Sequence, residues 1–155
     1  MTEPLTLSVT RFIAASPDVV WTTYVERGTE WFTPRPWTTP QVDFDVRPGG
    51  RANVTMASPE GERHSYRGVF LEVVPNRRLV STGAMTEGWI PQAGDMNFVR
   101  TDTFEPEGDG TRYTATARHW DEKAAATHHE MGFEQGWGAA ADQLAALAEG
   151  REIGT

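Results

Sequence analysis

Acid–base chemistry near neutral pH falls first to histidine, and the chain has four: His64, His119 and the adjacent His128 and His129. Neighbouring residues on a helix point about 100° apart, so His128 and His129 do not readily chelate one metal, and no H-E-x-x-H pattern occurs. The sequence therefore predicts no metal, and nothing in it asks for another cofactor. His119 is the candidate catalytic residue, since it stands near the end of a predicted strand, beside Trp120 and shortly before a helix. Its ordinary alternative is a structural histidine held by hydrogen bonds.

The remaining reactive types form no recognisable set. Asp43 with Asp45, Asp95 with Asn97, and Thr103 with Glu105 lie two apart on strands and share a face. The aspartate pair sits opposite an apolar face, which predicts solvent rather than a general acid and base. Serine, histidine and aspartate occur without a G-x-S-x-G elbow, so a nucleophilic triad has no support. The absence of cysteine removes disulfides, thiolate zinc sites and thiol nucleophiles together. Lys123 is the single lysine, so any Schiff base would rest on it.

Gly132, Gly136 and Gly138 are not a phosphate loop, because no G-x-G-x-x-G follows a strand. Gly132 and Gly136, four apart, would share one helix face at a cost of about 1 kcal/mol each relative to alanine. Such a cost implies a steric reason, either close helix-to-sheet contact or room for a ligand. Six Trp, seven Phe and three Tyr are more informative. Trp31, Phe32, Trp37 and Trp89 fall in or beside turn-rich segments and are expected to rim an opening, where aromatic walls suit a flat hydrophobic ligand. Arg35, Arg51, Arg67 and Arg100 are candidate polar anchors there.

The elements that position these residues follow from periodicity. Leu5 to Ile13 alternates as a half-buried strand. Ser16-Pro17-Asp18 then supplies a cap, a first-turn proline and an acid for a short helix that Gly28 would end. A second helical turn is expected at Glu30-Trp31-Phe32, followed by the irregular proline-rich stretch Thr33 to Pro40. Strands are predicted over Gln41 to Val46, Arg51 to Ala57, His64 to Val74 and Arg78 to Met85. After a loop from Thr86 to Gly94, Met96 to Phe104 and Thr111 to Trp120 form a last hairpin. Phe133, Trp137, Ala140, Leu144 and Leu147 then make a continuous apolar stripe on one long closing helix, Ala124 to Glu149, with Asp121 or Thr127 capping its start and Gly150 its end. An antiparallel sheet with one apolar face needs a cover, and that helix is the long element available. The fold class is α+β, with a curved antiparallel sheet wrapped around the C-terminal helix and two short helices after the first strand.

One domain is expected over residues 5–150, with 151–155 a flexible tail. Its 155 residues suffice for a core. With Lys+Arg 14 against Asp+Glu 22 the net charge is −8, which repels phosphate backbones and excludes nucleic acid as the natural partner. No apolar run reaches the roughly 18 residues needed to span a bilayer, and the N-terminus lacks a signal peptide's charged start and apolar block, so neither membrane insertion nor export is expected and the location read is cytoplasmic.

The chain resembles the activator-of-heat-shock-protein-90-ATPase homologues of the START-like (SRPBCC), polyketide-cyclase-related superfamily. The likeness rests on Arg11 to Trp21, on Glu30-Trp31-Phe32-Thr33-Pro34, and on Asp45-Val46-Arg47-Pro48-Gly49-Gly50. It continues through Tyr66-Arg67-Gly68, Val73 to Leu79, and Gly136-Trp137 with Leu144 to Leu147. It implies a helix-grip fold with a pocket between sheet and helix. The superfamily includes hydrophobic-ligand carriers, cyclases, co-chaperone domains and antibiotic self-resistance proteins, and fold alone does not choose among them.

The leading expectation is therefore a protein that encloses a hydrophobic or aromatic small molecule. Trp31, Phe32, Trp37, Tyr66 and Phe70 are expected to contribute to the site, together with Trp89, Met96, Phe98, Met131 and Gln135. Sequestering a natural product such as an enediyne antibiotic is one version, in which Gly88 beside Trp89 is the candidate site of backbone cleavage. The alternatives are a cyclase or hydrolase with His119 as base and Arg67 or Tyr66 orienting an oxyanion, and a chaperone-interacting module. The sequence names neither the ligand nor the oligomeric state.

Overall fold

Alternating apolar residues make β1 (Thr6–Ile13) the edge of a five-stranded antiparallel sheet in a computed structural model that describes residues 5–94 and 97–153. Pro17 opens α1 (Pro17–Glu26), where its missing N–H costs nothing. The short α2 (Gly28–Trp31) follows directly. Gly28 begins this turn rather than ending α1, and it is glycine because a Cβ would stand 2.9 Å from Val42 Cγ2.

β2 (Thr38–Phe44), β3 (Ala52–Ala57) and β4 (Arg63–Tyr66) form a three-stranded sheet. The proline-rich stretch is thus irregular only as far as Trp37, with Thr38–Pro40 already in β2. β5 (Val69–Val74), β6 (Arg78–Thr82), β9 (Phe98–Glu107) and β10 (Gly110–His119) complete the larger sheet in the order β1-β10-β9-β6-β5. Between β6 and β9, β7 (Met85–Thr86) and β8 (Ile90–Pro91) pair as a small hairpin within the expected loop.

The expected strand from His64 to Val74 is two strands, and Gly68 is the reason. The chain passes there from one sheet to the other, with Ala52 N donating to Gly68 O and Gly68 N to Asn53 Oδ1. A Cβ on Gly68 would lie 2.6 Å from the backbone oxygen of Thr82, which cannot swing aside. Gly68→Ala is therefore expected to cost about 1–3 kcal/mol in a urea unfolding titration, as overpacking against fixed backbone does. The strand expected to reach Met85 stops at Thr82. The turn between β9 and β10 is shorter than predicted, since the strands run on to Glu107 and restart at Gly110.

The closing helix also divides, into α3 (Glu122–Glu130) and α4 (Phe133–Ala148). Asp121 caps α3 through its side chain, which accepts from Ala124 N at 2.8 Å. Gly132 separates the helices at φ +92°, a conformation that strains any residue with a Cβ, so it sits on no helix face shared with Gly136. Gly150, at φ +74°, follows the end of α4. The next residues, Arg151 and Ile153, are tied back by Arg151 N to Ala146 O and Arg35 Nη1 to Ile153 O.

The inner face of the larger sheet carries Val9 and Ile13 on β1, Ala115 and Ala117 on β10, and Leu79 on β6. α4 lays Ala140, Ala141, Leu144 and Ala145 against this core, packing chiefly on β1. Tyr24, Trp31, Phe104 and Tyr113 fill the space under α1 and α2 through edge and tilted ring contacts. The strands curve around α4 in the helix-grip arrangement. No helix among the described residues is long and apolar enough to cross a membrane.

Candidate functional site

β9 turns Phe98, Arg100, Asp102 and Phe104 toward the interior, so a charged pair sits on an otherwise apolar face. Asp102 is 1% exposed. Arg100 grips it with a fork, Nε to Oδ2 at 2.9 Å and Nη2 to Oδ1 at 3.1 Å. Two phenols complete the shell, Tyr24 donating to Oδ2 at 2.8 Å and Tyr113 to Oδ1 at 2.6 Å. Four donors satisfy a carboxylate that burial would otherwise penalise by several kcal/mol. Burial, reinforced by the Asp102 charge against the pull of Arg100, holds both phenols well above the ordinary tyrosine range, so they remain donors. Burial would lower the Arg100 pKa, but Asp102 and the two tyrosines raise it well above its usual value, and it stays a cation.

The guanidinium is framed by aromatic rings. Its Cζ lies 4.4 Å from the Trp137 ring centroid, 5.0 Å from Phe32 and 5.9 Å from Tyr24. Such contacts contribute about 0.5–2 kcal/mol each. Phe32 is held there by Trp31, which is buried beside it at 5.2 Å, and by Gln143 of α4, whose Nε2 donates to the carbonyls of Trp31 and Thr33. The Arg100 side chain keeps 16% exposure. Its Nη1 has no protein partner among the described residues. Since no polar side-chain atom of the described residues is both fully buried and unpartnered, that nitrogen keeps contact with solvent. Phe32, Phe98 and Trp137 are all half-buried, so the core opens to solvent along this edge.

Beside this opening stands a histidine relay. His119 Nδ1 lies 2.8 Å from Leu5 O, a carbonyl that only accepts, so this nitrogen carries the proton. In the neutral ring His119 Nε2 is then the acceptor for His128 Nδ1, 2.9 Å away. That leaves His128 Nε2 as a bare lone pair. His128 is 9% exposed and packs against Phe98 at 5.1 Å, Phe133 at 5.1 Å and Trp137 at 5.8 Å. Burial, followed by the repulsion of His119, lowers its pKa to about 4, so it is uncharged at neutral pH.

Of the residues expected at a ligand site, Phe32 and Phe98 stand at this opening, and Phe70 is buried against Phe44 at 5.3 Å. Trp31 is 1% exposed, a core residue rather than part of a rim, because its ring is enclosed by Tyr24 and Phe32. Trp37 stacks near His64 at 5.7 Å, Tyr66 is exposed on β4, and Trp89 covers Gly49. Met131 is 71% exposed in the break between α3 and α4, Gln135 is exposed on α4, and Met96 lies outside the described residues. Gly88 occupies the exposed turn between β7 and β8 at φ +84°.

His119 is not the available base, because both its ring nitrogens are engaged inside the protein. Of the four candidate arginine anchors, Arg100 is at the opening. Arg51 is instead committed to Asp43 at 3.0 Å and Glu87 at 2.7 Å. Asp102, Tyr24, Tyr113, His128 and Trp137 were not among the expected site residues. Their signal is Arg100-Thr101-Asp102, two opposite charges two apart on a strand whose same face holds Phe98 and Phe104.

Two clefts lie elsewhere. One of about 600 Å³ runs between α2, β2 and the chain after α4, and one of about 570 Å³ lies between β1, α4 and the same segment. Both are open grooves lined as much by charged and other polar groups as by apolar ones, whereas the aromatic frame stands around the unspent donors of Arg100. Among the described residues no three His, Asp or Glu side chains gather as metal ligands.

The family model for activator of Hsp90 ATPase homolog 1-like protein matches residues 14–149. A Nitrosomonas europaea protein of solved structure is 34% identical, covers 97% of each chain and superposes with a TM-score of 0.92. A Mycobacterium smegmatis protein is 26% identical over 93% of this chain and 90% of its own, with a TM-score of 0.78. The AHSA1 protein of Silicibacter pomeroyi, 22% identical over 92% and 96% of the two chains, shares the fold at a TM-score of 0.69. No curated protein matches. This fold and family are compatible with holding a small molecule in an apolar cavity. On a sequence match that runs from the end of β1 through α4, the chain belongs to the activator of Hsp90 ATPase homolog 1-like family, within the START-like superfamily.

Proposed function

We propose that the protein binds a hydrophobic, aromatic small molecule at the opening between the curved sheet and α4. The observation that carries this reading is the frame of half-buried Phe32 and Trp137 around a guanidinium with unspent N–H donors, with half-buried Phe98 against Trp137. Apolar rings supply the binding area and a few fixed polar groups supply orientation, the usual composition of a ligand site.

Titration with a library of flavonoids, polyketides, lipids and enediynes tests it. Saturable tryptophan quenching with a defined mass increment in native mass spectrometry is expected, and Trp137→Phe should remove most of the quenching. Trp137→Ala should weaken binding about 10-fold or more, the scale of a lost aromatic anchor. Silence across the library overturns the reading.

Sequestration of a natural product for self-resistance is the finer version. In its sacrificial form an enediyne would cleave the chain, and the exposed turn at Gly88 is the expected position. Intact chain mass after exposure to an activated enediyne removes that form and leaves carriage.

Turnover in the same cavity is the second reading, and one observation favours it. His128 presents a bare Nε2 while His119 holds its other nitrogen, so the base would be His128 rather than His119. A product mass in the same spectra, lost in His128→Phe, would establish it.

A further inference from the structure

The three-stranded sheet ends on an open edge. Its order is β2-β3-β4, so among the described residues β4 has β3 on one side and no strand on the other. Ser58 N donates to Glu62 O and Ala52 N to Gly68 O. Both pairs continue the register that sets Val54 against Tyr66, Thr55 against Ser65, Met56 against His64 and Ala57 against Arg63. Bonded and non-bonded pairs alternate in an antiparallel ladder, so His64 and Tyr66 spend their backbone groups on β3, while Arg63 and Ser65 turn N–H and C=O away from it. Among the described residues no hydrogen bond reaches those outward groups, and both residues are exposed. The carbonyl of Arg67, the next outward residue, accepts from Gln92 Nε2 at 3.0 Å, which closes the edge at that end.

The side chains give this edge its chemistry. Arg63, Ser65 and Arg67 share one face of β4, the arginines about 13 Å apart along the strand. In a chain of net charge −8 most arginines are paired with a carboxylate, but Arg63 and Arg67 have none among the described residues. The opposite face presents His64, whose ring lies 5.7 Å from that of Trp37, and Tyr66, 55% exposed. A strand added to a sheet edge gains affinity from backbone pairing and specificity from its alternate side chains. Two copies of this edge meeting antiparallel about Ser65 would set arginine against arginine, so the edge fits a partner of opposite charge better than itself.

We propose that β4 docks an extended acidic segment of a partner protein as a fourth strand of this sheet. Its backbone pairs with Arg63 and Ser65, its carboxylates on one face meet Arg63 and Arg67, and apolar residues on the other face pack beside His64 and Tyr66. This surface is separate from the opening beside Arg100 and stands whatever that opening binds.

The probe is the fluorescein-labelled heptapeptide Val-Glu-Val-Thr-Val-Glu-Val, followed by anisotropy. Two relatives are compared with it, one carrying lysine for glutamate and one N-methylated at the glutamates and threonine, whose N–H groups would point at β4. The acidic peptide is expected to bind about 10-fold tighter than either. It should also move the amide resonances of Arg63 and Ser65 in nitrogen–proton spectra. Arg63→Glu combined with Arg67→Glu should reverse the preference between acidic and basic peptides. Ser65→Pro removes an outward N–H and no bond to β3, so it should leave the urea midpoint little changed while weakening the acidic peptide about 5-fold or more, and Ser65→Ala should not weaken it.

Equal affinity for acidic and basic peptides overturns the proposal, since the arginines would then merely keep the edge unpaired. Undiminished binding of the methylated peptide overturns strand addition, as does undiminished binding to Ser65→Pro. If that variant fails to fold by circular dichroism, the methylated peptide and the amide shifts decide. Dimerisation of the protein that Ser65→Pro abolishes would make a second copy the occupant and overturn the acidic partner. No binding by any of the peptides overturns the proposal outright.

Discussion

Asp102→Ala is expected to remove about 3–5 kcal/mol of stability, the largest loss of any single substitution in the larger sheet. The carboxylate is the common acceptor of Arg100, Tyr24 and Tyr113, and its removal leaves a buried guanidinium and two buried hydroxyls without their partner. Against a total of about 5–15 kcal/mol, such a loss leaves a marginal protein or none. Tyr24→Phe and Tyr113→Phe each delete one donor while the fork persists, so each should cost only about 1 kcal/mol. Urea unfolding monitored by circular dichroism checks the contrast. If Asp102→Ala loses no more than the tyrosine variants, the carboxylate is not the shared anchor of Arg100, Tyr24 and Tyr113.

The same cluster marks where the sequence is legible and where it is not. Strands such as β1 declare themselves because every second residue is apolar, and α4 because Phe133, Trp137, Ala140 and Leu144 recur at helical spacing. Local patterns of that kind record which face is buried, but not what meets it. Gly68 and Gly132 read as ordinary members of a strand and a helix, since their reasons lie in a carbonyl of β6 and in a backbone turn. Trp31 and Trp37 look alike in a turn-rich stretch, yet one is core and the other surface, because Gln143 from over a hundred residues away pulls the Trp31 backbone inward. His119 looks available until its two nitrogens are traced to Leu5 and His128, neither of which its own strand predicts. Arg100 and Asp102 are the one part of the opening that local pattern does expose. A strand facing Phe98 and Phe104 into a core has no reason to place opposite charges between them unless buried partners wait there.

His128 makes the stability of the fold depend on pH in the mildly acidic range. Unfolded, its ring has the ordinary pKa of 6.5, and in the native protein burial and His119 lower it to about 4. Above about pH 7 neither state binds the proton and stability is at its plateau. As pH falls between these values the unfolded chain takes up a proton that the native ring refuses, so the unfolded state gains. The stability present at neutral pH is therefore lost progressively from about pH 6.5 and is fully lost below the native value. Full linkage over that interval is about 3 kcal/mol, and screening by water at the open side of the ring brings the expected loss to about 2 kcal/mol. Carboxylates whose pKa the fold lowers, such as Glu30 beside Arg27 and Glu149 at the Ala14 N–H, add their own acid sensitivity, so the test is a difference. His128→Phe keeps an aromatic ring among Phe98, Phe133 and Trp137 and cannot titrate, at the cost of leaving His119 Nε2 without its donor. Its stability at pH 7.5 should fall modestly below that of the parent, and the gap should narrow or reverse by pH 5. Parallel slopes in urea titrations of the two proteins between pH 7 and 5 would show that the relay is protonated as readily in the native state as in the unfolded one, and His128 would then be no dependable acceptor for a ligand.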